Sequence, residues 1–210
     1  LRDKRFGRVY RVVYKDGRAE PAPELARLSI DNVAGLLSGL AHPSMVVRLS
    51  AQRLLIERGN LDCVSDLISL VADKTVDEVG LNPAAIHAIY TLAGLNALAD
   101  EEGDAYAAVV TALRHPSAGV RRAAVDCLTD SPVAAKALVD ANLLNDTDAQ
   151  VVLATLLAIA DQSSPQLASA VASFVASDRV NDRWLADAAT SAAARHPAKF
   201  LSELAASSST

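Results

Sequence analysis

Three of the four histidines stand directly before a proline: His42-Pro43, His115-Pro116 and His196-Pro197. Imidazole is a common ligand of transition metals, so a recurring His motif raises the possibility of a metal site. A structural role competes with it. A residue before proline is pushed out of the helical region, which ends a helix there, and an imidazole at that end can pair with the free carbonyls. The three motifs are spread along the chain, so turn punctuation is expected rather than ligation. His87 lies mid-helix in HAIYTLAGL (87–95) and could serve as a general base. No Ser, Cys or carboxylate pattern beside it suggests a triad, and a packed, hydrogen-bonded ring is the expectation.

The remaining chemistry-bearing residues point the same way. Cys63 and Cys127 both sit among apolar residues, with no CxxC or CxxCH, and read as small hydrophobes. The acidic groups Asp100-Glu101-Glu102-Asp104 and Asp146/Asp148 lack the central Gly and terminal Glu of a calcium loop. They read as solvated turns that carry helix caps. HExxH, GxGxxG, the P-loop and GxSxG are all absent. No catalytic, cofactor-binding or metal-ligating residue is therefore expected, and no cofactor. Residues that could contact a partner are Arg48, His87, Arg121, Arg122 and Trp184. Trp184 is the sole tryptophan and could anchor a partner, although a core-filling role in the last repeat is the preferred reading.

The elements that would carry these residues are helices. Of 210 residues, 51% are hydrophobic, and 41 alanines with 28 leucines dominate that fraction, against eight aromatics. Such a mixture favours closely approaching helices. HPSMVVRLSAQRLL (42–55) recurs as HPSAGVRRAAVDCL (115–128), with His, Pro, Ser, Val, Arg, Ala and Leu at matching places. The 73-residue offset is two periods of about 36, in the range of stacked helical repeats. Equivalent positions fall at Val47, Ile86, Val120, Val151 and Trp184, giving about five helix pairs. First helices are predicted near 30–41, 61–73, 103–114, 132–143 and 165–177. Second helices are predicted near 44–58, 83–98, 117–129, 147–160 and 182–195, with a closing helix near 198–206. Ser44, Asn82, Ser117 and Asn181 are N-cap candidates, and Ser131-Pro132 and Ser164-Pro165 suit helix starts.

Residues 1–27 differ from the rest. FGRVYRVVYK (6–15) alternates as a strand, and Pro21 and Pro23 form a stiff linker. A lone strand is marginal in water, so it is expected to belong to a sheet encoded upstream, and the chain to be a fragment. Domains follow: 1–27, the terminal strand of an upstream β-domain with its linker; 28–206, the repeat domain; and 207–210, a tail. These first 27 residues show no apolar signal-peptide core, and no run of about 18 apolar residues suits a membrane span.

VVRLSAQRLLIERG (46–59), HAIYTLAGL (87–95) and DRWLADAATSAAARHPAKFL (182–201) resemble the HEAT-repeat region of a bacterial family. These are the planctomycete-type "membrane-bound dehydrogenase", or PVC-type haem-binding, proteins. DKRFGRVYRVVYKDG (3–17) resembles the closing strand of their β-propeller. The resemblance implies an all-α, HEAT-like α-solenoid of about five helix pairs with a short N-terminal β-strand segment. It implies a non-catalytic scaffold or spacer between a quinoprotein-like dehydrogenase propeller and a c-type cytochrome domain, in an exported or periplasmic protein. Its partners would be those flanking domains or a separate protein. In such repeats, arginines opening second helices, here Arg48, Arg121 and Arg122, commonly reach a neighbouring repeat. Neither the propeller nor CxxCH is present here, so no catalytic or haem-binding residue carries over. The alternative is a free-standing HEAT-repeat interaction scaffold. A HEAT-fold enzyme of bilin lyase or DNA glycosylase type lacks supporting residues.

The formal charge is −5, and residues 1–27 carry 8 Lys/Arg against 4 Asp/Glu. That is +4, which leaves −9 on residues 28–210. Duplex DNA should therefore bind negligibly near physiological salt. A gel shift revealing micromolar, salt-sensitive binding would contradict this.

Overall fold

The computed structural model describes residues 28–207. The expected strand at 6–15, the Pro21/Pro23 linker and residues 208–210 lie outside them. About 70% of the described residues are helical, and none of them forms a strand. The fold is all-α.

The helices alternate much as the 3.6 period predicts. Odd-numbered ones are α1 (Val33–Gly39), α3 (Val64–Ala72), α5 (Asp104–Ala112), α7 (Pro132–Ala141), α9 (Leu167–Val175) and α11 (Pro197–Ser207). Even-numbered ones are α2 (Met45–Arg58), α4 (Pro83–Gly94), α6 (Ala118–Cys127), α8 (Ala149–Asp161) and α10 (Arg183–Arg195). The even helices pack in succession, α2 on α4, α4 on α6, α6 on α8 and α8 on α10. Among the odd ones, α3 packs on α5, and α9 packs on both α7 and α11. Each of α1, α3, α5 and α9 also packs on the even helix that follows it.

Cap chemistry explains the starts. Asn32, Asn82, Ser131, Asp148 and Asp182 each accept a backbone N–H in the first turn, and Pro83 and Pro132 follow two of them, where a missing N–H costs nothing. Three expectations need correction. The cap of α10 is Asp182 rather than Asn181, because a carboxylate accepts from both Trp184 and Leu185 N–H groups. Ser44 and Ser117 occupy the cap position without a side-chain cap bond. Their own N–H groups instead donate to His42 Nδ1 and His115 Nδ1, each at 3.0 Å. Helix α9 begins at Leu167 rather than Pro165, since the carbonyls of Ser164 and Pro165 are spent on turn bonds to Leu167 and Ala168.

The core divides into two clusters of buried side chains. One runs from Leu36 and Leu55 through Leu67 and Ile89 to Val109 and Leu128. The other gathers Leu156, Leu167, Val171, Phe174 and Leu185. α7 serves both, giving Ala134 and Leu138 to the first and Ala135 to the second. Each buried Leu contributes about 1.5–3 kcal/mol. Alanines set the spacing: Ala85 and Ala88 of α4, Ala123 and Ala124 of α6, and Ala188 and Ala189 of α10 are all buried. With so little side chain at the contact, the backbones approach closely.

α1 and α2 approach closely at Gly39. A Cβ added at Gly39 would lie 2.9 Å from the Ala51 Cβ, which has no rotamer by which to move away. Gly39→Ala should therefore destabilise the chain by about 1–3 kcal/mol through overpacking. Gly119→Ala, whose one tight approach is to the terminal Ile86 Cδ1 methyl at 2.9 Å, should cost less because that methyl can move aside. Chemical denaturation of both variants checks this, and equal midpoints would refute the rigid contact.

Candidate functional site

The repeated His-Pro-Ser turn builds the first candidate region. In the later copy, Ser117 N–H donates to His115 Nδ1, which leaves Nε2 to donate to the Asp73 carbonyl at 2.8 Å. Arg121, four residues beyond Ser117, folds back over the turn. Its Nη1 donates to the carbonyls of His115 (2.8 Å) and Pro116 (2.9 Å). Nε and Nη2 grip Asp146 in a two-point fork at 2.7 and 2.8 Å, the geometry that suits guanidinium and carboxylate. Arg48 repeats the device 73 residues earlier. Its Nη1 donates to the carbonyls of His42 (2.6 Å) and Pro43 (2.8 Å), and its Nε donates to His87 Nε2 at 3.2 Å. Both arginines thus close their own turn and reach the next helix pair.

His87 is buried, and its two nitrogens are committed. Nε2 accepts from Arg48, so Nδ1 carries the proton and donates to Gln52 Oε1 at 2.6 Å. Burial and the Arg48 charge both hold this imidazole below its ordinary pKa. A ring with no free lone pair is an inter-helix link, not a general base. The thiols are equally quiet: burial pushes Cys63 up and Cys127 up to about 12, so both stay protonated at neutral pH. Among the described residues no three His, Cys, Asp or Glu side chains group as metal ligands.

The other two sequence-predicted residues lie on the surface. Arg122 is exposed, 4.0 Å from Asp126 one turn along α6. Trp184 is 65% exposed, which corrects the expectation that it fills the core. With Asp182 as the cap, the buried register position of α10 falls on Leu185, one residue later than the repeat alignment placed it. On α4 the displacement is opposite, one residue earlier, from Ile86 to Ala85, which is fully buried. The Arg183 guanidinium sits over the Trp184 ring, 5.3 Å from its centroid, a cation–π contact.

Between α6 and α8 runs a groove of about 570 Å³. Leu153 and Leu157 contribute apolar lining, and Arg122, Asp126, Asp130 and Asp161 supply its charges. Gln150 and Leu153 also line the adjoining hollow that leads to Trp184. Thus Arg122 and Trp184 belong to one surface, whereas Arg48, His87 and Arg121 are interior stitching. Tyr90 of α4 donates its hydroxyl to Asp126 at 2.9 Å, and burial followed by this bond pushes it up to about 12. Apart from Arg122, the groove residues escaped sequence reasoning, although a signal existed. Gln150, Leu153, Leu157 and Asp161 recur at three- and four-residue spacing, which marks one helical face.

No family model matches the chain, and no curated protein matches it significantly.

Asp146 provides a test of the stitching. Burial pushes its carboxyl up, but hydrogen bonds from Arg121 and the Asp148 N–H, with the Arg121 and Arg179 charges, more than reverse this and leave it below the usual range. Its side chain is only 7% exposed. Arg121→Ala should cost about 3 kcal/mol at pH 7, because it strands a buried carboxylate. A carboxyl held low when folded stabilises the chain above its unfolded pKa near 4 and loses that contribution as pH falls through the folded value. The difference between wild type and variant should therefore narrow below about pH 4. Denaturant titrations at pH 7 and pH 3.5 check this; a gap independent of pH would refute the ion-pair account.

Proposed function

We propose that this chain is a HEAT-like α-solenoid of about five helix pairs that acts as a non-catalytic scaffold or spacer within a larger protein. It would resemble the segment between a quinoprotein-like dehydrogenase propeller and a c-type cytochrome domain. The observation that carries the reading is the recurrence of one load-transmitting device. Arg48 and Arg121, separated by 73 residues, each seal a His-Pro-Ser turn and bond into the following pair. A module whose junctions are tied in this way holds whatever it joins at a fixed separation, since each pair packs on its neighbours in sequence. His87 is engaged with Arg48 and Gln52, and His42 and His115 with backbone groups of their turns and of the preceding segment. In that setting residues 1–27 are the closing strand of the propeller with its linker. The location would be exported or periplasmic.

The free-standing scaffold is a second reading, favoured by the Leu157 and Trp184 surface, which suits a separate protein partner. The reading frame around residues 1–210 separates the two. A spacer requires propeller blades encoded upstream and a CxxCH motif downstream. A frame with neither would remove the spacer reading and leave the free-standing one.

A further inference from the structure

The groove along α8 has a polarity in both shape and charge. One end holds Trp184, beside the start of α8; Leu153 and Leu157 follow, the latter 50% exposed. The far end holds Asp126, Asp130 and Asp161. From Gln150 to Asp161 the track follows α8 for about 16 Å at 1.5 Å per residue.

The carboxylate end is electrostatically unfavourable as it stands. Asp126 and Asp161 occupy the last turns of α6 and α8, and neither helix has a basic residue there. Helix C-termini already carry partial negative charge, which disfavours anions and favours cations. Asp130 lies just beyond α6 and accepts from the N–H and hydroxyl of Ser163. The sole guanidinium in the lining, Arg122, stands 4.0 Å from Asp126, and Asp161 has no ion pair among the described residues. Arg195, bonded to the Gln162 carbonyl, also bears on Asp130, so three carboxylates face two guanidinium groups and the groove keeps an excess negative charge beside exposed apolar side chains.

We propose that this groove docks a cationic segment of a partner protein. The segment's Lys or Arg would lie between Asp126, Asp130 and Asp161, and its apolar or aromatic residues on Leu153, Leu157 and Trp184. The inference rests on the scaffold reading and names the partner's chemistry. The partner cation neutralises both the carboxylates and the two helix ends, so the local disadvantage of the free chain becomes binding specificity. The apolar track supplies contact area, and Trp184 is the kind of anchor that dominates interfaces.

Selection of a phage-displayed random 12-mer library on the full chain tests this, followed by fluorescence anisotropy of the enriched peptides. The expected peptides combine Lys or Arg with Leu or an aromatic, and their affinity falls as salt rises. Asp126→Asn with Asp161→Asn should weaken binding at least tenfold without lowering Tm, and Trp184→Ala should also weaken it. Arg53→Ala, at an exposed side chain of α2, should not. If the double variant does not fold, Asp161→Asn alone carries the comparison. Enriched peptides without basic residues, or affinity unchanged by the Asn substitutions, would overturn the proposal and leave the scaffold reading standing. So would self-association of the chain that Trp184→Ala abolishes. No enrichment would overturn it as well, and the scaffold reading is then judged by the flanking reading frame alone.

Discussion

A guanidinium that satisfies the turn at the start of its own helix and then bonds the next helix pair is the interaction on which this chain depends. A turn between helices leaves carbonyls without intrahelical partners, and arginine brings five donors in a rigid fork to meet them. Arg48 and Arg121 do so at the two His-Pro-Ser turns. Elsewhere the same chemistry recurs without the motif. Arg114 donates to the Asp140 carbonyl, Arg179 to those of Leu144 and Asp146, and Arg195 to that of Gln162. In each case a charged side chain crosses 26 to 35 residues of sequence to close a junction.

This use of arginine shapes the rest of the molecule. Cations spent on interior carbonyls cannot form a surface track for phosphates, and the acidic balance of residues 28–210 is therefore more exposed than the composition alone implies. Most remaining ion pairs are exposed i,i+4 contacts such as Arg53–Glu57 and Arg183–Asp187, which contribute little individually. Cohesion comes instead from apolar side chains buried between helices and from junctions whose polar groups are largely paired, the buried Ser117 hydroxyl excepted. The 73–82 segment illustrates the latter. Asn82 Nδ2 donates to the carbonyls of Asp73 and Thr75, and His115 reaches the same Asp73 carbonyl from the following pair.

The α8 surface departs from that economy of satisfied groups. Carboxylates at two adjacent helix C-termini and half-exposed Leu157 oppose the trends that govern the interior, and Trp184 adds an aromatic ring beside them. Local rules broken together in one groove mark a surface shaped by something other than stability.

Much of the helical order was legible in the residues alone. Alanine and leucine at 3.6 spacing, Asn82-Pro83 and Ser131-Pro132 as helix starts, and the His-Pro recurrence located all eleven helices to within a few residues, because those signals are local. The partners of Arg48 and Arg121 were not legible: Asp146 lies 25 residues from Arg121, and His87 lies 39 from Arg48. Trp184 shows the same limit at finer scale. Choosing Asp182 over Asn181 as the cap rotates α10 by one residue and turns an expected core side chain outward. Helix type and position are decided by neighbours in sequence. Which face is buried, and which carboxylates share a groove, is decided by how one helix is laid against the next, since a rotation of one residue, about 100°, exchanges core for surface.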